Sequence, residues 1–118
     1  MSQIVVHDSQ NAAPAEACWS WRWLSAQQCT AAVLIEERVR SECDRIRLGH
    51  PASSIYSELR GDEDTIIDTL VSRALSAFDK GRLVLIVNDR QIVGRDSVID
   101  IGDRLDVAFV QLMPLKGG

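Results

Sequence analysis

The chain has 118 residues, of which 46% are hydrophobic and 25% are charged, and its formal net charge is −4 at pH 7. A chain of this length and composition is expected to form one globular domain without help from a metal ion or a disulfide. The acidic balance argues against a nucleic-acid-binding protein, because contacts to the phosphate backbone need clustered basic residues.

The cysteines and the N-terminal segment carry no motif that indicates metal binding or secretion. Cys18, Cys29 and Cys43 lack the C-x-x-C spacing of zinc and redox sites. No basic region leads into a long apolar run near residue 1, and no stretch approaches about 18 apolar residues, so we expect neither a leader nor a membrane span. A cytoplasmic protein with reduced thiols is the expectation. His7 and His50 lie far apart in predicted turns, and we expect no catalytic role for either.

Two strands are predicted in the first quarter of the chain. Residues 4–6 are a β-branched run, and the turn-prone residues 7–11 are expected to close it. Trp19, Trp21 and Trp23 then alternate with polar residues, which is the period of a strand. We expect the two strands to form a hairpin with a long connection. Core packing is the favoured role of the tryptophans, and an exposed aromatic patch for a partner is the alternative.

A first helix is predicted from an N-cap at Thr30 to about Leu48. One apolar stripe runs along it, and charged residues, among them Arg38 and Glu42, occupy the other faces. The stripe consists of Ile35, Val39, Cys43 and Ile46.

A second helix follows residues 50–61, which are expected to be a connection. Its start is predicted near Asp62 or Asp64, because acidic side chains favour the N-terminal end of a helix. Gly81 is predicted to supply a left-handed C-cap. The buried stripe of this helix is expected to contain Ile67, Leu70, Val71, Ala74 and Phe78.

The last third of the chain is predicted to consist of strands and turns. Residues 83–87 are a continuous apolar run and indicate an interior strand. Residues 88–90 are predicted to form a turn, and a short strand is expected after it. Residues 100–103 form a predicted tight turn before the final strand, 105–112. The order of strands and helices predicts an α+β fold, with a mixed sheet and helices packed on one of its faces.

The segment 83–118 resembles the C-terminal half of the β-grasp sulfur carriers, which are the small subunit of molybdopterin synthase and the carrier of thiamine biosynthesis. The matching pieces are a strand that ends in V-N-x, a G-D turn that leads into a V-x-F strand, a proline-containing stretch and a terminal G-G. They are residues 87–89, 101–105, 107–109 and 114–118. The whole chain looks like a bacterial ubiquitin-like protein, enlarged by the predicted helix 30–48 and the tryptophan-rich strand.

This resemblance implies a ubiquitin-like β-grasp domain over residues 1–114 and a flexible tail over residues 115–118. In such families the chemistry takes place on the C-terminal carboxylate, which an E1-like activating enzyme adenylates with ATP. The implied site is therefore Gly117 and Gly118, since glycine has no Cβ to clash in a narrow channel. Leu112, Pro114, Leu115 and Lys116 are the implied partner-binding residues.

Three functions are compatible with this tail. The first is a protein modifier that is conjugated to target amines, with an E1-like enzyme, an E2-like enzyme, a deconjugating protease and target proteins as partners. The second is a sulfur carrier with a C-terminal thiocarboxylate, and the third is a non-covalent interaction module whose glycines are idle. The modifier is favoured because the enlarged N-terminal part offers surface that a carrier does not need. The chain itself is expected to be no enzyme and to bind no metal, cofactor, nucleic acid or membrane.

Overall fold

The structure is a computed structural model and describes residues 2–10, 17–23, 27–61 and 66–112, with only the backbone of Gln10 and Ala17. Three strands, three helices and four further strands follow one another along this part of the chain. They are β1 (Ser2–Gln10), β2 (Ala17–Trp23), β3 (Gln28–Thr30), α1 (Ala31–Arg47), α2 (Ser54–Arg60), α3 (Ile67–Asp79), β4 (Leu83–Val87), β5 (Arg90–Ile92), β6 (Val98–Asp100) and β7 (Arg104–Gln111).

The main sheet has five strands in the order β2-β1-β7-β4-β5. β1 and β7 are parallel, and β1–β2, β7–β4 and β4–β5 are antiparallel. The first and last strands of the described chain therefore lie side by side in the middle of the sheet. The predicted α+β fold, a β-grasp-like mixed sheet with helices packed on one face, is confirmed, and so are the predicted β1–β2 pairing and the interior position of β4.

Side chains of the inner strands alternate between a core face and an open face. On β7 the predicted alternation is confirmed, because Leu105, Val107 and Phe109 are buried while Ala108 and Val110 are half-buried on the opposite side. The helices pack against the core face, where one hydrophobic cluster includes residues from β1, β2, β4, β7 and all three helices. Among the described residues, no helix is long and apolar enough to cross a membrane.

Helix α1 follows the sequence prediction closely. The Thr30 side chain caps it by accepting a hydrogen bond from the Val33 amide at 3.3 Å. Ile35, Val39 and Cys43 are buried, as the apolar stripe predicts, and Ile46 is half-buried. These contacts hold α1 over the sheet.

Two predictions about charged residues were wrong. Arg38 and Glu42 are not on a solvated face of α1, since their exposed fractions are 1% and 4%, and Asp8 is completely buried. Asp8 also belongs to β1 and not to a turn, because residues 7–10 pair in parallel with residues 108–111 of β7. This tertiary pairing overrides the turn preference of His7 and its neighbours, and it places the Asp8 carboxylate beneath α1.

The region between α1 and α3 differs from the prediction. Residues 54–60 form helix α2, capped by the Ser53 hydroxyl, where a plain connection was expected. Ile66 has an extended backbone and precedes α3, so the predicted start near Asp62 or Asp64, residues outside the described part, is too early. Gly81 follows the C-cap with φ +74°, as predicted for a left-handed helix end.

Two short elements in the last third complete the fold. Asn88 and Asp89 have φ values of +52° and +63° and form the predicted turn between β4 and β5. Strand β6 was not predicted, and it pairs with β3 in a separate two-stranded sheet. A strand of three residues carries little periodicity of its own, and β6, unlike β5, is not marked by an apolar strand and a turn directly before it.

Candidate functional site

The predicted C-terminal site begins where β7 leaves the sheet. The amide of Leu112 donates a hydrogen bond to the carbonyl of Arg82 at 2.7 Å, one residue after β7 ends. The Leu112 side chain is 42% exposed. Pro114, Leu115 and Lys116 lie outside the described residues, as do Gly117 and Gly118.

The end of β7 is held on both sides. Gln111 is in register with Gln10 of β1 and with Leu83 at the start of β4. Because β7 has a neighbour on each side, its last residues cannot shift along the sheet without breaking two ladders. Leu112 therefore presents the segment that follows it from a fixed position.

An apolar strip lies on the open face of the sheet, close to this position. Val84 pairs with Val110, and Ile86 pairs with Ala108. All four side chains are half-buried, and Leu112, the first residue after β7, is exposed. Contiguous apolar surface that helices do not cover is a common feature of protein-binding sites.

A charged cluster borders this strip. His7 Nε2 lies 3.3 Å from Asp106 Oδ1, and Arg104 donates two hydrogen bonds to the same carboxylate at 3.1 Å. Hydrogen bonds from Arg104 and from His7 hold the pKa of Asp106 below its ordinary value. The carboxylate therefore remains ionised over the physiological range.

The β1–β2 register places Cys18 opposite His7, and the His7 ring also contacts Asp106 of β7, whose register partner on β1 is Val5. His7 lies in a strand and not in the predicted turn, and sequence spacing alone gave no sign of these neighbours. The side chains of His7 and Asp106 are 41% and 51% exposed, and Cys18 is exposed as well. Nucleophilic catalysis relies on a site that excludes water and holds its substrate, which an open sheet face does not supply.

The other two cysteines are suppressed as nucleophiles by burial. Cys43 is part of the core, as predicted, and desolvation is the main cause of its raised pKa. Desolvation also raises the pKa of Cys29 to about 11. A thiol with a raised pKa is mostly protonated at neutral pH and reacts slowly.

The tryptophans of β2 are mainly core residues, which was the favoured prediction. Trp19 and Trp23 are 7% and 4% exposed, while Trp21 is half-buried and packs against the core. The indole of Trp19 donates a hydrogen bond to Asp8 at 3.1 Å. This strand therefore supports the sheet from within, and its aromatic side chains offer little surface to a partner.

A groove on the opposite side of Leu112 was not predicted. It lies between α2, α3 and the adjoining ends of β4 and β7, has a volume of about 240 Å³, and is called the α2–α3 groove below. Sequence reasoning missed it because α2 was taken for a connection. Its lining residues are Ile55, Glu58, Leu59, Arg73, Ala77, Arg82, Leu83, Gln111 and Leu112.

Within the described residues, no three His, Cys, Asp or Glu side chains are grouped as metal ligands. The features around Leu112 are thus an ordered strand end, an apolar strip on the open face and a groove on the helical side.

Comparison with protein-family models, curated proteins and solved structures gave no significant match to this chain.

Proposed function

We propose that the chain is a ubiquitin-like protein modifier, whose Gly118 carboxylate is adenylated by an activating enzyme and joined to an amine of a target protein. The observation that carries this proposal is the position of β7. It is the middle strand of a sheet ordered β2-β1-β7-β4-β5, is parallel to β1, and is the last strand before Gly117 and Gly118 in the sequence.

Chain length limits where an activating enzyme must bind. Gly118 lies six residues after Leu112, where the described structure ends. A fully extended chain spans at most about 3.3–3.6 Å per residue, so Gly118 reaches no further than about 22 Å from Leu112. The partner must therefore cover the surface around Leu112 to bring ATP to the last glycine.

The apolar strip on the open face fits this requirement. Val84, Ile86, Ala108 and Val110 lie on the strands next to the exit of the tail. Burying half-exposed aliphatic groups there contributes about 25 cal/mol per Å² of apolar surface removed from water. An enzyme that binds this strip is well placed to receive the tail in its active site.

Because Gly117 and Gly118 are both glycine, they suit a tail that passes through a narrow channel of the activating enzyme. Adenylation joins a carboxylate oxygen of Gly118 to the α-phosphorus of ATP and releases pyrophosphate. A target amine then attacks the carbonyl carbon and displaces AMP. Glycine lacks a Cβ and permits backbone angles that other residues avoid, which suits close approach to the nucleotide.

The proposal is tested by intact-mass and peptide mass spectrometry of the protein from its own cells, beside a variant that lacks Gly118. We expect higher-mass species that contain a second polypeptide, present in the parent and absent in the deletion variant. Trypsin cleaves after Lys116, so target lysines should carry a Gly-Gly remnant.

Other outcomes identify the alternatives. A free protein in which one oxygen is replaced by sulfur, again absent in the deletion variant, would indicate a sulfur carrier. Only unmodified protein in both samples, under conditions where the chain is expressed, would contradict a tail function and leave the interaction module. As a control for folding, the melting temperature of the deletion variant should equal that of the parent.

A further inference from the structure

We propose that the α2–α3 groove binds a short extended peptide segment of a protein partner, in which an aliphatic residue is followed by an acidic residue. This inference goes beyond the modifier function and holds whether or not Gly118 is conjugated. The inference depends on the apolar floor of the groove, on the unpaired amide oxygen of Gln111 and on the charge at the rim.

The floor of the groove is apolar and comes from three different elements. Ile55 and Leu59 are contributed by α2, Ala77 by α3 and Leu83 by β4. Ile55 and Leu83 are almost fully buried, while Leu59 and Ala77 are only partly covered by the core. An aliphatic side chain inserted here would complete the packing of Leu59 and Ala77.

The size of the groove favours a peptide side chain over a small-molecule cofactor. Its volume is about 240 Å³. Sites for drug-sized ligands usually enclose about 300–1,000 Å³. One aliphatic side chain with its neighbouring backbone is a better match for the smaller space.

An unpaired polar group lies at the end of the groove. Gln111 is 7% exposed and lines the groove, and its Oε1 atom has no hydrogen-bond donor among the described residues. A buried acceptor without a partner destabilises the folded chain, and a bound ligand can remove this cost. A backbone N–H group of a bound peptide can donate a hydrogen bond to this oxygen.

The charge at the rim selects an acidic group. Arg73 and Arg82 line the groove and are exposed, and Glu58 is the acidic residue of the lining. Arg73 uses its Nη1 atom to bind the carbonyls of Leu59 and Arg60 at 2.8 and 3.1 Å, which orients its guanidinium beside the groove. Among the described lining residues, two cations stand against one anion on a chain whose net charge is −4, so a carboxylate of the partner is favoured.

The test is a ¹H–¹⁵N NMR titration of the full chain with the peptide Ac-Ala-Leu-Asp-Ala-NH₂ and with its matched control Ac-Ala-Leu-Asn-Ala-NH₂. We expect saturable shifts at amides of the α2–α3 groove and at the side-chain amide of Gln111. The Asp peptide should bind about 1.4- to five-fold more tightly, since an exposed ion pair contributes about 0.2–1 kcal/mol.

Three variants locate the interaction. Arg82→Gln should bind the two peptides equally, while Arg90→Gln, an exposed arginine on β5, should keep the preference of the parent. Ala77→Leu should abolish the shifts, because its larger side chain fills the groove without lowering helix propensity. Circular dichroism confirms that each variant is folded.

The proposal is overturned if the shifts do not saturate, if they lie outside the groove, or if the parent binds both peptides equally. It is also overturned if removing residues 113–118 sharply raises peptide affinity, since the chain's own C-terminal segment would then be the occupant. The Gly118 deletion, which tests the modifier function, should leave peptide binding unchanged, so the two proposals fail separately.

Discussion

Asp8, Arg38 and Glu42 form a buried ionic network at the centre of the molecule. Arg38 donates hydrogen bonds to both Asp8 oxygens, at 2.5 and 2.8 Å, and one to Glu42 at 3.1 Å. Its guanidinium also lies over the rings of Phe109 and Trp19, with centroids at 4.6 and 5.5 Å. Burial alone would lower the pKa of Arg38, but hydrogen bonds and charges of its acidic partners raise it above the ordinary value.

Removing one charge of this network should strongly destabilise the fold. In Asp8→Asn, Arg38 loses its closest carboxylate in a site that water does not reach. Breaking a buried ion pair from one side costs about 3–5 kcal/mol, and we expect a loss of that order in the free energy of unfolding. Urea denaturation followed by tryptophan fluorescence measures it.

The matched control is Asp106→Asn, which removes a carboxylate that also pairs with an arginine but is exposed on the open face. We expect a far smaller loss, because water and salt screen an exposed pair. Equal losses for the two variants would show that burial does not determine the contribution of Asp8.

At the scale of elements, Ser53 connects the buried network to α2. Its hydroxyl accepts a hydrogen bond from the Tyr56 amide at 3.1 Å and another from Arg38 at 3.3 Å. Its own amide donates to Glu42 Oε2 at 2.9 Å. Because α2 has only seven residues, it depends on such contacts more than on helix propensity. The same contacts keep α2 in place as one wall of the α2–α3 groove.

The two N-caps should therefore differ in their contribution to stability. Thr30→Ala removes one capping bond from α1 and should lower the free energy of unfolding by about 1 kcal/mol. Ser53→Ala should cost about 2 kcal/mol, because a bond to the buried guanidinium is lost together with the cap. Chemical denaturation of both variants tests this order.

Ser57→Ala is the control for these substitutions, since Ser57 is an exposed residue within α2. Alanine has the higher helix propensity, so this variant should be as stable as the parent or slightly more stable. A Ser53→Ala variant as stable as Ser57→Ala would contradict the role given to Ser53.

At the scale of the whole molecule, the main sheet pairs the two strands that lie furthest apart in the sequence, β1 and β7. Residues 3–10 of β1 pair with residues 104–111 of β7, so the two ends of the described chain meet in the middle strands. Forming contacts of such sequence separation costs loop-closure entropy. Once the sheet has formed, β7 is held by β1 on one side and by β4 on the other.

Hydrogen exchange should reveal this arrangement. We expect the amides of Val6 and Val107 to exchange only through global unfolding, because both residues lie in strands with neighbours on each side. Amides of the edge strand β5 should exchange through local opening at a lower free energy. Native-state exchange followed by NMR compares them, and similar protection of β5 and β7 would contradict this ranking.

Local pattern was sufficient for most elements of the fold. The stripe of Ile35, Val39 and Cys43 predicted the buried face of α1, and the alternation of β7 predicted which side chains enter the core. Helix α2 was missed because seven residues are too few for a clear helical period. The α2–α3 groove could not be predicted for the same reason, since three of its nine lining residues belong to α2.

The amino-acid sequence by itself determined the long helices and most of the strands, the mixed α+β class and the terminal Gly-Gly on which the proposed function depends. These properties follow from hydrophobic period and turn residues, which act over a few positions. Only the tertiary structure decided that Asp8 is a buried strand residue paired with Arg38, that Cys18 faces His7, and that Gln111 lines a groove. Each of these depends on register between segments far apart in the chain, and the same polar residue is solvated or buried according to which strand or helix it meets.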